Sequence, residues 1–304
     1  MGDEMSEYVQ IAGKKYLYES KYRDNDILRK SFNKLAKSIF DIDFELWYQE
    51  GYWKDGYIPY SLIDNNEVIS NVSASIMNFN FKGKKKLYIQ IGTVMTDIRY
   101  RNNGLGRYLM ERVIKQWKDK CDLIYLFANN SVINFYPKFN FRETYEYQHS
   151  RSCFNISENR DIRNIDINCK EDKELFNRII ENTKVFSKFA VLNNKNLIMF
   201  YCNSIVKDNI YYIKDYDAIV IADISREVIY ILDVFATKDI DLESIINKFV
   251  RKNTKKVVLG FTPLNTILYD EELLKKDDTT LFVMGEKENP LELYEMMFPV
   301  LSHT

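Results

Sequence analysis

The sequence predicts a mixed α/β fold: a largely antiparallel sheet flanked by helices, followed by a second, smaller α/β domain. Three observations lead to this prediction. The length of 304 residues suits two domains, strand-like and helix-like segments alternate along the chain, and a polar stretch at 155–169 separates two such series. We place the domains at 1–160 and 165–304 and expect the second to be a degenerate copy of the first, although no residue-level repeat is evident.

Hydrophobic periodicity assigns each segment of the first domain. The clearest helix starts at Leu105, because Leu109 and Val113 follow on the same face. Asn65-Asn66 favours a tight hairpin between two strands. In order, the segments are a strand at 15–22, helices at 27–40 (capped by Asp24 or Asn25) and 44–50, strands at 58–64, 68–81 and 87–98, a helix at 105–120, a strand at 122–128, a brief helix at 131–136 and a strand at 141–150.

The second domain has a similar order of segments, and the chain ends in an apolar tail, MMFPVLSHT, that we expect to dock because mobile ends are usually more polar. Its segments are a helix at 172–188, strands at 210–213, 218–224 and 228–235, a helix at 242–250, and strands at 257–261 and 281–284.

Composition excludes several classes of protein. Hydrophobic residues make up 46% and charged residues 29%, with only 10 Gly and 5 Pro, so disorder and low-complexity linkers are not expected. A net charge of -1 gives no global basic field for nucleic acid or an anionic membrane. The one dense basic run, at 82–86, reads as solvated hairpin charge. No apolar stretch approaches the ~20 residues that span a bilayer.

The cysteines predict neither disulfides nor a metal site. They are scattered without a CxxC pair, and only two histidines accompany them, so reduced thiols are the simplest interpretation. With no secretory signal at the polar N-terminus, we expect a cytoplasmic protein without a metal. The residues are Cys121, Cys153, Cys169, Cys202, His149 and His303.

One glycine-containing segment, at a strand-to-helix junction, predicts chemistry. A P-loop requires Lys and Ser or Thr after its last glycine, but Arg107 follows Gly106. A dinucleotide fingerprint requires a third small residue, where Leu109 stands. What remains is Arg101-x-x-Gly104-x-Gly106, which opens an amphipathic helix. Free helix N–H groups, glycines without Cβ and two arginines suit a pyrophosphate, although a ligand-free turn would also have this sequence.

A second motif, ANNSVINFYPKFNF at 128–141, follows the next strand. With the loop it resembles the GNAT superfamily of N-acetyltransferases, whose elements are Q/R-x-x-G-x-G/A and N-x-x-A-x-x-x-Y-x-x-x-G-F. The resemblance covers about 15–150. Val132 replaces the usual alanine and Asn140 the usual glycine, which Asn can mimic because it tolerates positive φ. The remaining matches are Arg101, Gly104, Gly106, Asn129, Tyr136 and Phe141.

The resemblance implies direct transfer of acetyl from acetyl-CoA, the co-substrate, to an amine of a small molecule or peptide. The central strand would pair with pantetheine, the loop would hold pyrophosphate, Asn129 would bond pantetheine, and Tyr136 would protonate the leaving thiolate, although Tyr136 could instead be a packed aromatic. The strand residues are Val94, Met95 and Thr96, and the loop residues are Arg101, Asn102, Asn103, Gly104, Leu105, Gly106 and Arg107.

Several points stay open at this stage. The general base could be a water or one of four carboxylates, but the three side-chain carboxylates among them are more simply interpreted as solvated surface acids. Aromatic residues at 47–57 could line an acceptor pocket or cover the core. A non-catalytic acetyl-CoA sensor or interaction module is the main alternative function. The second domain lacks the glycine loop, so we expect no second acetyl-CoA to bind there. The sequence does not predict the oligomeric state. The candidate carboxylates are Glu45, Glu50, Asp97 and the terminus at Thr304.

Overall fold

Two sheets organise the chain. In the computed structural model, which describes residues 6–153, 161–225, 227–285 and 289–304, the strands form one nine-stranded and one seven-stranded sheet. Helices lie against both sheets, and the large antiparallel content confirms the predicted fold class.

The strands are β1 Glu7–Ile11, β2 Lys14–Ser20, β3 Tyr57–Asp64, β4 Glu67–Phe81, β5 Lys84–Thr96, β6 Leu123–Ala128, β7 Arg142–Thr144, β8 Tyr147–Ser152, β9 Ile162–Asn164, β10 Phe189–Val191, β11 Ile210–Ile213, β12 Ala218–Ile224, β13 Val228–Ala236, β14 Lys256–Leu259, β15 Asp270–Leu273 and β16 Thr280–Gly285. The α-helices are α1 Asp26–Phe40, α2 Glu45–Gln49, α3 Leu105–Trp117, α4 Lys170–Glu181, α5 Lys195–Asn203, α6 Leu242–Asn247 and α7 Pro290–Leu293.

The two sheets share one pattern of connections. In the first sheet the order is β1-β2-β3-β4-β5-β6-β16-β7, with β10 beside β4, and β5 and β6 are parallel across α3. In the second sheet the order is β15-β8-β14-β13-β12-β11-β9, and β13 and β14 are parallel across α6. This correspondence is the main support for our proposal that the second part of the chain is a degenerate copy of the first fold.

Each half of the chain completes the other's sheet. Strand β16, near the C-terminus, pairs antiparallel with β6, while β8, from before the polar stretch, pairs antiparallel with β14. The two sheets therefore do not correspond to the two parts of the chain on either side of the proposed boundary between 160 and 165. That boundary stays a prediction. Residues 154–160 of that polar stretch lie outside the described residues.

Three assignments from the sequence are wrong in extent. The single strand at 141–150 is two strands in different sheets, because the chain crosses between sheets at 145–146. The helix at 172–188 ends at Glu181, and the chain then enters β10. The brief helix at 131–136 is replaced by two 3₁₀ turns, Asn130–Val132 and Tyr136–Phe139. Strands β1, β9, β10 and β15 and helix α5 were not predicted.

Other local predictions are confirmed. The side chain of Asn25 caps α1, since its Oδ1 accepts from the N–H groups of Ile27 and Leu28 at 3.1 and 3.2 Å. Asn65 and Asn66 have φ values of +50° and +64°, as a tight hairpin turn requires.

The apolar tail docks as predicted. Met296, Met297 and Phe298 are fully buried, and the ring of Phe298 stacks on Tyr125 of β6 at 4.0 Å between centroids. Burial of such side chains stabilises by roughly 1.5–3 kcal/mol each. The tail thereby fixes the last residues of the chain, which run on between the two sheets toward β5.

Candidate active site

Strand β5 is distorted where it borders α3. Thr93 and Val94 lie opposite the single residue Val72 of β4, which is a β-bulge, and Thr93 has a φ of +47°. A β-branched residue adopts that conformation only under external restraint. The restraint comes from Asn71, whose Nδ2 donates to the Thr93 carbonyl at 2.8 Å, and from Tyr57, whose hydroxyl lies 2.7 Å from Thr93 Oγ1.

The sheet opens next to this bulge. Strands β5 and β6 pair only from Tyr88 with Leu123 to Gln90 with Tyr125. Beyond Gln90 the remainder of β5, up to Thr96, has no pairing with β6. This leaves one edge of the strand, with its backbone N–H and C=O groups, facing a cleft.

The glycine loop lies at the same end of β5. Gly104 has a φ of +80° and Asn102 one of +64°, both left-handed conformations that glycine and asparagine tolerate. The first hydrogen bond of α3 runs from the Tyr108 N–H to the Gly104 carbonyl, so the N–H groups at 105–107 have no acceptor within the helix. The loop therefore presents a row of donors at the positive end of a helix dipole.

Side chains of the loop hold its shape. The Arg101 Nε donates to the Thr96 carbonyl at 3.2 Å, and the Asn103 Nδ2 donates to the carbonyls of Tyr100 and Arg101, each at 3.1 Å. Asn103 is thus turned into the loop rather than toward the cleft. A Cβ at Gly106 would meet only ordinary contacts, the closest 3.7 Å from Thr96 Oγ1.

Loop, strand and second motif line one cavity of about 980 Å³, which we call the cleft cavity. Every predicted site residue except Asn103 contributes to its wall. The predicted residues that line it are Val94, Met95, Thr96, Arg101, Asn102, Gly104, Leu105, Gly106, Arg107, Asn129 and Tyr136.

Tyr136 begins a 3₁₀ turn and is 5% exposed, packed against the rings of Phe135, Phe141 and Phe282. Burial raises the pKa of its phenol to about 12. The hydroxyl therefore keeps its proton at neutral pH and can act as a donor. The turn ends at Asn140, whose φ of +65° is the conformation expected of the glycine that it replaces.

Three of the four candidate carboxylates do not line the cleft cavity. For Glu45, burial disfavours the charged form, but hydrogen bonds from Arg29 and Gln49 outweigh it and hold the pKa below its usual range. Glu50 is paired with Lys173. Hydrogen bonds from Arg99 hold the pKa of Asp97 low. All three carboxylates are thus paired with a cationic side chain.

The fourth candidate, Thr304, lies inside the cavity. Its Oγ1 accepts from the Ser75 hydroxyl at 3.0 Å. Gln90 is assigned with its amide nitrogen toward the Ser302 carbonyl, because the reverse orientation would bring two oxygen atoms together. In this orientation the amide nitrogen donates to the Ser302 carbonyl at 2.8 Å, and the amide oxygen accepts from the Thr304 N–H at 2.8 Å. A Cβ at Gly92 would lie 2.6 Å from the Thr304 carbonyl oxygen, so the approach requires glycine.

His303 also lines the cleft cavity, and its ring lies 3.9 Å from that of Phe127 between centroids. Its carbonyl accepts from the Tyr201 hydroxyl at 2.6 Å. Burial, together with Lys276, lowers the pKa of His303 well below its usual range, so the imidazole is neutral.

The far side of the cavity is apolar. Trp47 and Tyr57, two of the aromatic residues flagged in the sequence, line it, whereas Trp53 is buried in the core behind them. Phe200 of α5 stacks on Phe44 at 5.4 Å between centroids and closes this side. Helix α5 belongs to the second part of the chain, so both parts build the cavity.

Sequence reasoning did not identify the residues around the docked tail. Gly92 carried a usable signal, because an isolated glycine within a strand pattern often marks a bulge or a close approach of another backbone. Gln90, Ser75 and His303 carried none, since their position depends on where the distant tail docks.

A family model supports the interpretation of these motifs: residues 23–144 match the acetyltransferase (GNAT) domain. This range contains the bulged strand, the loop, Asn129 and Tyr136. Residues 23–144 are a GNAT domain. The predicted resemblance is thereby confirmed for residues 23–144.

Similar proteins agree with the fold. A provisionally named glycylpeptide N-tetradecanoyltransferase of Melanoplus sanguinipes entomopoxvirus is 23% identical over 185 residues, which are 55% of this chain and 62% of the relative. The chain thus spans about six-tenths of the length of that relative.

Two solved structures are also similar. One is a conserved protein of unknown function from Enterococcus faecalis, with 16% identity, 88% of this chain and 71% of that chain covered, and a TM-score of 0.58. The other is a GCN5-related N-acetyltransferase from Kribbella flavida, with 14% identity, 88% and 71% coverage and a TM-score of 0.52. Both similarities extend beyond the GNAT domain into the second part of the chain.

In the described ranges, no helix combines the length and the apolar character needed to cross a membrane. Nor does any group of three or more His, Cys, Asp or Glu in those ranges have the arrangement of a metal site.

Proposed function

We propose that the protein is an N-acetyltransferase that transfers acetyl from acetyl-CoA to a primary amine in a ternary complex. The observation that carries the proposal is convergence: the donor-rich loop, the edge of β5 that is not paired with β6, and Tyr136 line one cavity. Loop N–H groups would bind the pyrophosphate, and the edge at 94–96 would pair with pantetheine. Asn129 would add a hydrogen bond to pantetheine.

The chemistry needs two proton movements. The amine nitrogen attacks the thioester carbonyl carbon, a C–N bond forms, the C–S bond breaks, and the sulfur leaves as a thiolate. A backbone N–H of β5 would stabilise the oxyanion. The Tyr136 hydroxyl would donate a hydrogen bond to the departing sulfur. A thiol has a pKa of ~8.5, so complete transfer of the proton from a phenol with a pKa of about 12 is unfavourable. The main contribution of Tyr136 is therefore a strong hydrogen bond to the thiolate.

The base that accepts the proton from the amine is proposed by elimination. Glu45, Glu50 and Asp97 are bound to cations outside the cavity wall. In a chain that ends at Thr304, the terminal carboxylate would lie in the cavity, next to Gly92. That carboxylate, or a water that it orients, is our candidate. Full turnover after deletion of the last four residues would refute it.

The apolar far side of the cavity favours a second candidate for the acyl donor, a long-chain acyl-CoA. Phe40, Ile42 and Ile205 line it together with the aromatic residues, and this surface exceeds what an acetyl group can cover. The entomopoxvirus relative is named for transfer of a tetradecanoyl group to glycyl peptides. A long-chain acyl-CoA would place its chain there. Parallel assays with acetyl-CoA and tetradecanoyl-CoA separate the two donors.

The test of the proposed function is release of free CoA in the presence of candidate amines, including peptides with a free N-terminus. We expect release that depends on the amine, with mass spectrometry finding the acylated product. A sensor or interaction module would bind acetyl-CoA but release no CoA with any acceptor. That outcome would favour the alternative function.

A further inference from the structure

A second cavity, of about 360 Å³, lies in the seven-stranded sheet. Strand β13 pairs with β14 only as far as Ile231 with Leu259; from there to Ala236 it stays paired with β12 on its other side. The cavity opens at this divergence, which corresponds to the divergence of β5 from β6 in the first sheet. Its volume falls in the range of small-molecule pockets, ~300–1,000 Å³.

The wall of this second cavity is mainly apolar. Its residues come from α4, β10, α5, β13, the segment that follows β14, and the tail. Its apolar side chains include Ile180, Val191, Ile198, Phe235, Phe261 and Leu301. A wall of this kind selects an apolar ligand through burial of its surface.

One acid, Asp233 of β13, is partly buried and lines the second cavity. Its Oδ1 accepts from the N–H of Val234 at 2.8 Å, and the structure of the described ranges gives it no cation. Burial raises the pKa of Asp233 to about 7, and only the Val234 N–H opposes that rise. A carboxyl group in a mainly apolar wall without a counterion is costly to ionise unless a ligand supplies the opposite charge.

The charges at the mouth do not fill that role. Lys195 is paired with Glu181 at 2.6 Å, and Lys184 is an exposed residue of the rim. We propose that the second cavity binds a small apolar molecule that carries a protonated amine, with the Asp233 carboxylate as its counterion. A hydrogen-bonded ion pair inside an apolar enclosure gives both affinity and selection for the cation.

This site is separate from the cleft cavity: the two have no lining residue in common, although α5 and the tail contribute to both. The tail contributes Pro299 and Leu301 to the second cavity and His303 and Thr304 to the cleft cavity. The proposal does not depend on the acyltransferase function, because none of its wall residues belongs to the loop, to β5 or to the second motif.

The test is calorimetric titration of the full chain, without CoA, with 3-phenylpropylamine. Its matched probes are 3-phenylpropanol, which is neutral, and 3-phenylpropionate, which is anionic. We expect one amine site per chain and at least about tenfold weaker binding of the alcohol and the acid. Asp233→Asn, which keeps the shape and removes the charge, should weaken amine binding by at least about tenfold.

Two further variants locate the site. Asp223→Asn changes an exposed acid on the neighbouring strand β12 and should bind the amine as the wild type does. Ala190→Phe places a ring in the cavity from β10 and should remove binding. Failure of the wild type to bind the amine, equal binding by Asp233→Asn, or tighter binding of the acid would each overturn the proposal; equal binding by Asp233→Asn would assign the amine to the cleft cavity.

Discussion

At the scale of single residues, Tyr136 and Gly106 carry the clearest tests. The two motifs predicted both positions from the sequence, because each depends on local spacing at a strand-to-helix junction. What the sequence could not predict was the environment of the Tyr136 phenol: burial raises its pKa, and one of the rings that bury it, Phe282, lies on a strand far along the chain.

We expect Tyr136→Phe to lower kcat by about 100-fold, the order that one positioned hydrogen-bond donor to developing negative charge contributes. The dissociation constant of acetyl-CoA should stay within about twofold, since the ring and its packing remain. Stopped-flow detection of CoA release and a binding titration measure the two quantities. An unchanged kcat would remove Tyr136 from the mechanism.

Substitutions at Gly106 separate folding from binding. Gly106→Glu places a carboxylate in the first turn of α3, where the helix dipole tolerates it, but next to the proposed pyrophosphate position. We expect the thermal midpoint to hold and the affinity for acetyl-CoA to fall at least about tenfold.

The matched control is Gly106→Ala, because its Cβ meets only ordinary contacts. It should bind acetyl-CoA nearly as the wild type does and be more stable by up to ~1 kcal/mol, since alanine favours a helix over glycine. Equal affinity of the Glu variant and the Ala variant would show that no phosphate binds at this helix.

At the scale of elements, the account depends on β5 and the tail that reaches it. Periodicity predicted β5 correctly as a strand, but it could not predict the bulge at Thr93, which long-range bonds from Asn71 and Tyr57 maintain. Periodicity also missed α5, because the sequence of this helix is only weakly amphipathic. In addition, the side chain of its N-cap residue, Asn194, makes no capping hydrogen bond. Both elements shape the cleft cavity, so its far side was unreadable from the sequence.

Gly92→Ala tests whether the tail belongs to the site. The new Cβ would stand 2.6 Å from the Thr304 carbonyl oxygen, so the tail must move. We expect kcat to fall by about 100-fold, the cost of a displacement near 1 Å at a reacting group, with little change in acetyl-CoA affinity.

Gly56→Ala is the control for that substitution, since nothing lies within 4 Å of its Cβ and its φ is not positive. It should retain full turnover. Should Gly92→Ala also keep full turnover, Thr304 would have no part in catalysis.

At the scale of the whole molecule, the exchange of strands ties the two parts together. Sequence reasoning predicted two successive units, because periodicity describes local structure and says nothing about which sheet a strand joins. Strand β16 lies between β6 and β7, and β8 lies between β14 and β15. Neither sheet is complete without the other part of the chain.

We therefore expect a fragment of residues 6–153 to lack a cooperative unfolding transition. Without β16, the apolar edge of β6 is open and the side chains that pack against Leu281, Phe282 and Val283 are exposed. Near-ultraviolet circular dichroism during heating compares fragment and full chain. A fragment that melts cooperatively within a few degrees of the full chain would contradict an interdependent fold.

The most direct test of the central claim is a crystal structure of the full chain with acetyl-CoA. The account predicts the pyrophosphate on the N–H groups at 104–107, the pantetheine along the β5 edge at 94–96, and the thioester sulfur within hydrogen-bonding distance of the Tyr136 hydroxyl. Acetyl-CoA bound outside the cleft cavity, or with its thioester remote from Tyr136, would contradict it.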